Sequence, residues 1–175
     1  MIVNLLEIMS VKDQVRNIQA PFELKSITFN NMEFKVVSSS LIDITLSHIG
    51  VREVGIQGKT KVTILIPCNR CLEDVEVDFD ILIDEELDFS TQDEDEINEL
   101  KELNYLNEYN LDLDLLVREE VILEFPMKVL CNNDCKGLCS SCGTNLNKDT
   151  CNCDTTSLDP RMAAIQDVFN EFKEV

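Results

Sequence analysis

Eight cysteines carry the chemistry that this 175-residue sequence offers. Cys68-x2-Cys71 stands alone, and Cys131-x3-Cys135-x3-Cys139-x2-Cys142-x8-Cys151-x-Cys153 packs the other six into one short stretch. Thiols in such pairs can form disulfides, exchange electrons or hold a metal ion. Disulfides suit an oxidising compartment. Here the text MIVNLLEIMSVKDQV has no basic leader, and Asn4 and Glu7 interrupt its apolar residues, so no secretory signal is expected. No run of about 18 apolar residues predicts a membrane span. The expected location is the reducing cytoplasm. A chain of this length also buries an ordinary core without staples.

Metal binding fits the spacing best. Zn–S bonds near 2.3 Å set the sulfurs of a tetrahedral site about 3.8 Å apart. A C-x2-C turn delivers two sulfurs at that separation. In CSSCG, Gly143 permits the positive φ that closes such a turn. Cysteines at i and i+2 of an extended piece point the same way, so Cys151 and Cys153 form a second jaw. The text GTNLNKD between the jaws is rich in turn formers. The preferred partition is therefore Cys139, Cys142, Cys151 and Cys153 in one site, with Cys68, Cys71, Cys131 and Cys135 in another. The long loop of the second site costs only about 1.8 kcal/mol more to close than the short one. A rival partition faces the two C-x2-C turns, 68/71 and 139/142, towards each other, and Cys131 can also stay free.

Two zinc ions are expected rather than one. Four-cysteine sites leave no open coordination position, which makes them structural rather than catalytic. His48 is the one histidine, so no Ser/His/Asp or Cys/His set is available and no enzyme is expected. The alternative is thiol redox chemistry, or a rubredoxin-like iron centre, at the C-x-x-C pairs. A redox C-x-x-C normally opens a helix whose dipole lowers the thiol pKa. Cys68 and Cys71 instead lie between two predicted strands, with acidic text after them.

The elements that must position these thiols follow from periodicity. FKVVSS, LIDITLSHI, TKVTILIPC and EDVEVDFDILI are β-branched and alternate apolar with polar residues, as half-buried antiparallel strands do. Val75, Val77, Phe79, Ile81 and Ile83 alternate with acidic residues except at Leu82. MSVKDQVRNI is expected to be a short helix. DEELDFSTQDEDEINELKE, residues 84–102, has ten acidic residues of nineteen against one basic and predicts a flexible connection whose edges can be helical. In LDLDLLVREEVILEFPM, Asp112 or Asp114 caps a helix that Pro126 ends. Asp159 and Pro160 open a C-terminal amphipathic helix. The expected fold is α+β, mainly β: an antiparallel β-rich body over 1–86 carrying the CNRC turn, an acidic connection over 87–110, and a third part over 111–175. That third part holds a helix near 112–124, a Cys-rich zinc-binding module and the C-terminal helix, packed on the body.

PCNRCLEDV resembles the C-x-R-C-L signature of the YceD family, the large ribosomal RNA subunit accumulation proteins of bacteria and plastids. REEVILEFPMKVLC resembles the family's helix. CKGLCSSCGTNLNKDTCNCD followed by DPRMAAI resembles the C-terminal signature of its cysteine-rich members. The resemblance implies a role in making or accumulating large-subunit (23S) ribosomal RNA. It also implies a link to a small basic ribosomal protein, whose gene often neighbours those of the family.

The charge agrees with a protein partner. Asp and Glu number 34 against 15 Lys and Arg, a formal charge of −19. Such a chain has no general attraction for phosphate backbones or anionic lipid. A basic large-subunit ribosomal protein, or the assembling large subunit, is the expected partner, and no membrane is. Arg70, inside the first turn, is the candidate partner contact. Its other reading is an arginine that bonds local carbonyls or carboxylates of the Glu73–Asp74 turn.

Overall fold

The computed structural model describes residues 1–90, 100 and 102–153. The chain divides into two compact units, one of Met1–Pro67 with Asp74–Val129, the other of Cys68–Glu73 with Leu130–Val175.

The first unit is built around two long antiparallel strands, β6 (Glu53–Pro67) and β7 (Asp74–Asp88), paired along their full length. On its other edge β6 takes two partners in succession. β5 (Ile42–Gly50) pairs with its first half and β4 (Met32–Ser39) with its second. The chain turns from β4 to β5 at Ser40, whose Oγ accepts from the Lys61 N–H at 2.8 Å. β2 (Val15–Ala20) extends the sheet from β5, and β3 (Ser26–Phe29) from β4. A smaller sheet joins β1 (Ile2–Asn4), β9 (Asn110–Asp112) and β8 (Leu106–Asn107). The architecture is mainly β with antiparallel sheets and a little helix, as the alternation implies.

Side-chain alternation explains the core. Ile42, Ile44 and Leu46 of β5, Val54, Ile56, Val62 and Ile64 of β6, and Phe79, Ile81 and Ile83 of β7 all point inward and are buried. Gly58 lets β5 and β6 close up: a Cβ there would lie 2.7 Å from Ile44 Cγ1 and 2.8 Å from the Asp43 carbonyl. Helix α2 (Leu113–Leu123) buries Leu113, Leu116, Val117 and Val121. Asp112 caps it, accepting from the N–H groups of Asp114 and Leu115. None of the described helices is long and apolar enough to cross a membrane.

Several expectations are corrected. MSVKDQVRNI is not one helix. A four-residue helix, α1 (Leu6–Met9), ends on the first residue of that stretch, Asp13 takes a positive φ, and Val15 already opens β2. Ile18 and Ala20, two apart, are the buried residues that make this piece a strand. The acidic text after residue 84 does not begin a connection, since β7 continues to Asp88 with Leu87 buried. β8 and β9 occupy part of the span expected to be a connection, and α2 belongs to the first unit rather than to the cysteine-rich one. The rest of the acidic connection, 91–99, and the C-terminal helix expected after Asp159 lie outside the described residues.

Candidate metal centres

Both cysteine groups lie in the second unit. CNRC sits on a tight turn between β6 and β7. The Cys68 N–H donates to the Glu73 carbonyl at 2.8 Å, the Leu72 N–H donates to the Cys68 carbonyl at 3.0 Å, and Leu72 takes φ +60°. A second turn presents Cys135, whose N–H donates to the Asn132 carbonyl at 3.0 Å. The two turns bring Cys68, Cys71, Cys131 and Cys135 together. Cys68 Sγ lies 3.8 Å from Cys135 Sγ, and Cys71 Sγ lies 3.4 Å from Cys131 Sγ. These distances exclude S–S bonds in the structure and match the separation of thiolates around one tetrahedral ion.

Cys139, Cys142, Cys151 and Cys153 form the second group. Gly143, at φ +73°, donates its N–H to the Cys139 carbonyl at 2.9 Å and closes the CSSC turn. The Cys139 N–H donates to the Thr144 carbonyl at 2.8 Å, and Leu138 and Asn145 form an antiparallel bridge. In each group the four sulfurs lie within 4.8 Å of one another. The geometry thus gathers the cysteines as the preferred partition does. The facing of the two C-x2-C turns, and a free Cys131, are not what it shows.

Hydrogen bonds prepare these sulfurs for a cation. Burial works to raise the Cys68 thiol, but the backbone N–H groups of Cys71, Arg70 and Cys131 outweigh it and lower its pKa to about 6. The Thr144 hydroxyl and N–H bring Cys142 to about 6. Their neighbours move the other way. Cys131, crowded first by Cys71, and Cys153, crowded by Cys142, are pushed up to about 12. Without a cation, each cluster stabilises some thiolates and forces others to keep their protons. A divalent ion held by the four sulfurs would remove that conflict by compensating all of them. The donor set is soft sulfur, closed on itself, and fits zinc or iron.

Arg70 serves the first cluster. Its guanidinium donates to the Cys135 carbonyl at 2.7 Å, and its own carbonyl accepts from the Leu138 N–H at 3.1 Å. Gly137, at φ +79°, packs against that carbonyl, where a Cβ would sit 3.0 Å away. The carbonyl that the Arg70 side chain bonds thus lies not in its own turn, at Glu73–Asp74, but in the turn of Cys135. His48 joins neither cluster; its Nδ1 lies 2.9 Å from the Val11 carbonyl. Sequence reasoning passed over Asn147. Its amide donates to Cys135 Sγ at 3.3 Å and accepts from the Lys136 N–H at 2.7 Å. The only signal was its place in turn text between cysteines.

Fold and site together define a mainly β protein that carries two four-cysteine groups able to hold metal ions. The model of the family "Large ribosomal RNA subunit accumulation protein YceD" matches residues 56–169, and the chain belongs to that family. The uncharacterised protein YlbN of Bacillus subtilis is 25% identical over 153 residues, 87% of each chain. An uncharacterised Mycobacterium bovis protein is 30% identical over 108 residues, 61% of this chain and 52% of its own. The chloroplastic large ribosomal RNA subunit accumulation protein YCED homolog 1 of Arabidopsis thaliana is 42% identical over 43 residues, 25% of this chain. That match spans only 13% of the Arabidopsis protein's own length. No solved structure matches the chain significantly.

Proposed function

We propose that this protein is a non-enzymatic factor that supports accumulation of large-subunit ribosomal RNA, with its cysteine-rich unit held by two structural zinc ions. The family match carries the first part. The two closed four-thiol clusters support the second, because they leave no coordination position for a substrate. Its place of action is the cytoplasm, and it works through a basic protein of the large subunit rather than by gripping RNA.

The outer face of β7 supports that choice of partner. Glu76, Asp78, Asp80, Asp84, Glu86 and Asp88 all point to solvent from alternate positions of one strand. Lys61 pairs with Asp78 at 2.8 Å and approaches Asp80 at 3.7 Å. A row of carboxylates attracts Lys and Arg side chains and repels phosphate.

Depletion is the test. Precursor large-subunit RNA should accumulate and mature RNA should fall, and unchanged levels would overturn the reading. A pulldown with and without ribonuclease tests the partner. Partners that vanish when RNA is digested would place RNA, not a basic protein, in contact with this chain.

A further inference from the structure

The loop that closes the second cysteine cluster also touches the first. Cys142 and Cys151 are the ends of an eight-residue loop. Two side chains of that loop reach residues of the other cluster's turns. Asn147 Nδ2 donates to Cys135 Sγ at 3.3 Å while its Oδ1 accepts from the Lys136 N–H at 2.7 Å. Lys148 pairs with Glu73, at the end of the CNRC turn. Asn147 is itself held in place, since its N–H and its Nδ2 both donate to Asn145 Oδ1 at 3.0 Å. Asn145 in turn bridges Leu138, one residue before Cys139.

We infer that Asn147 is a positioning residue that couples the two metal sites, so that filling the second site strengthens metal retention in the first. The inference rests on the metal reading above. A metal on Cys142 and Cys151 fixes both ends of the loop. Fixing them holds the Asn147 amide on the Cys135 sulfur and on the backbone of its turn. The amide N–H orients the Cys135 sulfur, and the carboxamide oxygen fixes the turn that aims it. Linkage makes the effect reciprocal: a metal in the first site favours the loop conformation that closes the second. Groups that orient a ligand in this way are worth about 10–100-fold in metal affinity when removed.

The test uses the full-length protein as purified, with its metal. Zinc transfer to a chromogenic chelator is followed in time for wild type, Asn147→Ala and Asn147→Asp. Cys131→Ser and Cys142→Ser identify which phase belongs to which site. Asn147→Asp keeps an acceptor for the Lys136 N–H but replaces the donor to sulfur with a repelling carboxylate. Both Asn147 variants should release first-site zinc at least about tenfold faster. Cys142→Ser should accelerate the same phase although it touches no ligand of that site. A circular-dichroism spectrum equal to wild type shows that the sheet is intact. If wild type holds two zinc ions and first-site release is unchanged in the Asn147 variants, the coupling is wrong and the metal reading stands. If wild type holds no metal, the metal reading itself fails and takes the coupling with it.

Discussion

The two compact units differ in what their described residues bury. In the strand unit the interior is a continuous apolar cluster, from Leu5 and Ile8 through Ile44, Ile64 and Phe79 to Leu116 and Val121. In the cysteine-rich unit no described residue joins that cluster. The described side chains buried there are those of Cys68, Cys71, Cys135 and Cys139. The first unit removes hydrocarbon from water, at about 25 cal/mol per Å². The described residues of the second bury little hydrocarbon, and on the function proposed above sulfur–metal bonds would take over the role of a core. The two clusters inside it differ again. The second draws all four ligands from a single run, Cys139–Cys153, and leaves Cys142 exposed. The first draws ligands from both pieces of chain that make up the unit, and three of its four are buried.

Removing metal should break the comparison most widely. Structural zinc is worth about 10–16 kcal/mol apparent in small sites. Chelation should therefore expose residues 130–153 and the CNRC turn to protease while the far-ultraviolet strand signal persists. Loss of the strand signal on chelation would show that the sheet, too, depends on metal. The converse experiment is Ile44→Ala, which empties a fully buried position in β5. It should cost about 2–5 kcal/mol in denaturant unfolding of the strand unit and leave the zinc stoichiometry unchanged.

Arg70→Ala comes next and sharpens the contrast inside the cysteine-rich unit. It removes the bond to the Cys135 carbonyl, a hydrogen bond from a charged donor worth about 1.5–3 kcal/mol. If Arg70 chiefly supports the first cluster, first-site zinc should leave faster and partner binding should follow metal content. Normal zinc retention with lost partner binding would make Arg70 a contact residue instead.

The sequence foretold the strand unit where each level of signal agreed. β5, β7 and residues 60–67 of β6 alternate, and the acid-capped text before Pro126 is a helix. It misled where polar residues occupy a strand whose burial is set by distant partners. In β2 only Ile18 and Ala20 are buried, so the period of two is nearly invisible in VRNIQA. The end of β7 is similar: Asp84 looks like linker text, yet it pairs with Gln57, whose amide donates to it at 3.1 Å. β8 and β9 turn through Glu108 at φ +56°, without the glycine that would mark such a hairpin. In the cysteine-rich unit, cysteine spacing carries the grouping because four-thiol geometry is strict. Supporting contacts such as that of Asn147 depend on how two chain pieces meet, which no spacing encodes.

The smallest expected effect tests whether the units respond independently. Asp112 stands in extended conformation before α2, and its Oδ1 accepts from the N–H groups of Asp114 at 3.0 Å and Leu115 at 3.4 Å. Those donors have no partner within the helix, and the carboxylate also complements the positive end of the helix dipole. Asp112→Ala should cost about 1 kcal/mol, the usual worth of such a cap. Asp112→Asn keeps the acceptor and should recover most of the loss. Because α2 belongs to the strand unit, the cost should appear in the unfolding of that unit alone, with zinc release rates equal to wild type. Faster zinc release in Asp112→Ala would mean that a small loosening of the apolar unit is transmitted to the metal-held one. Core and metal would then have to be treated as one cooperative system.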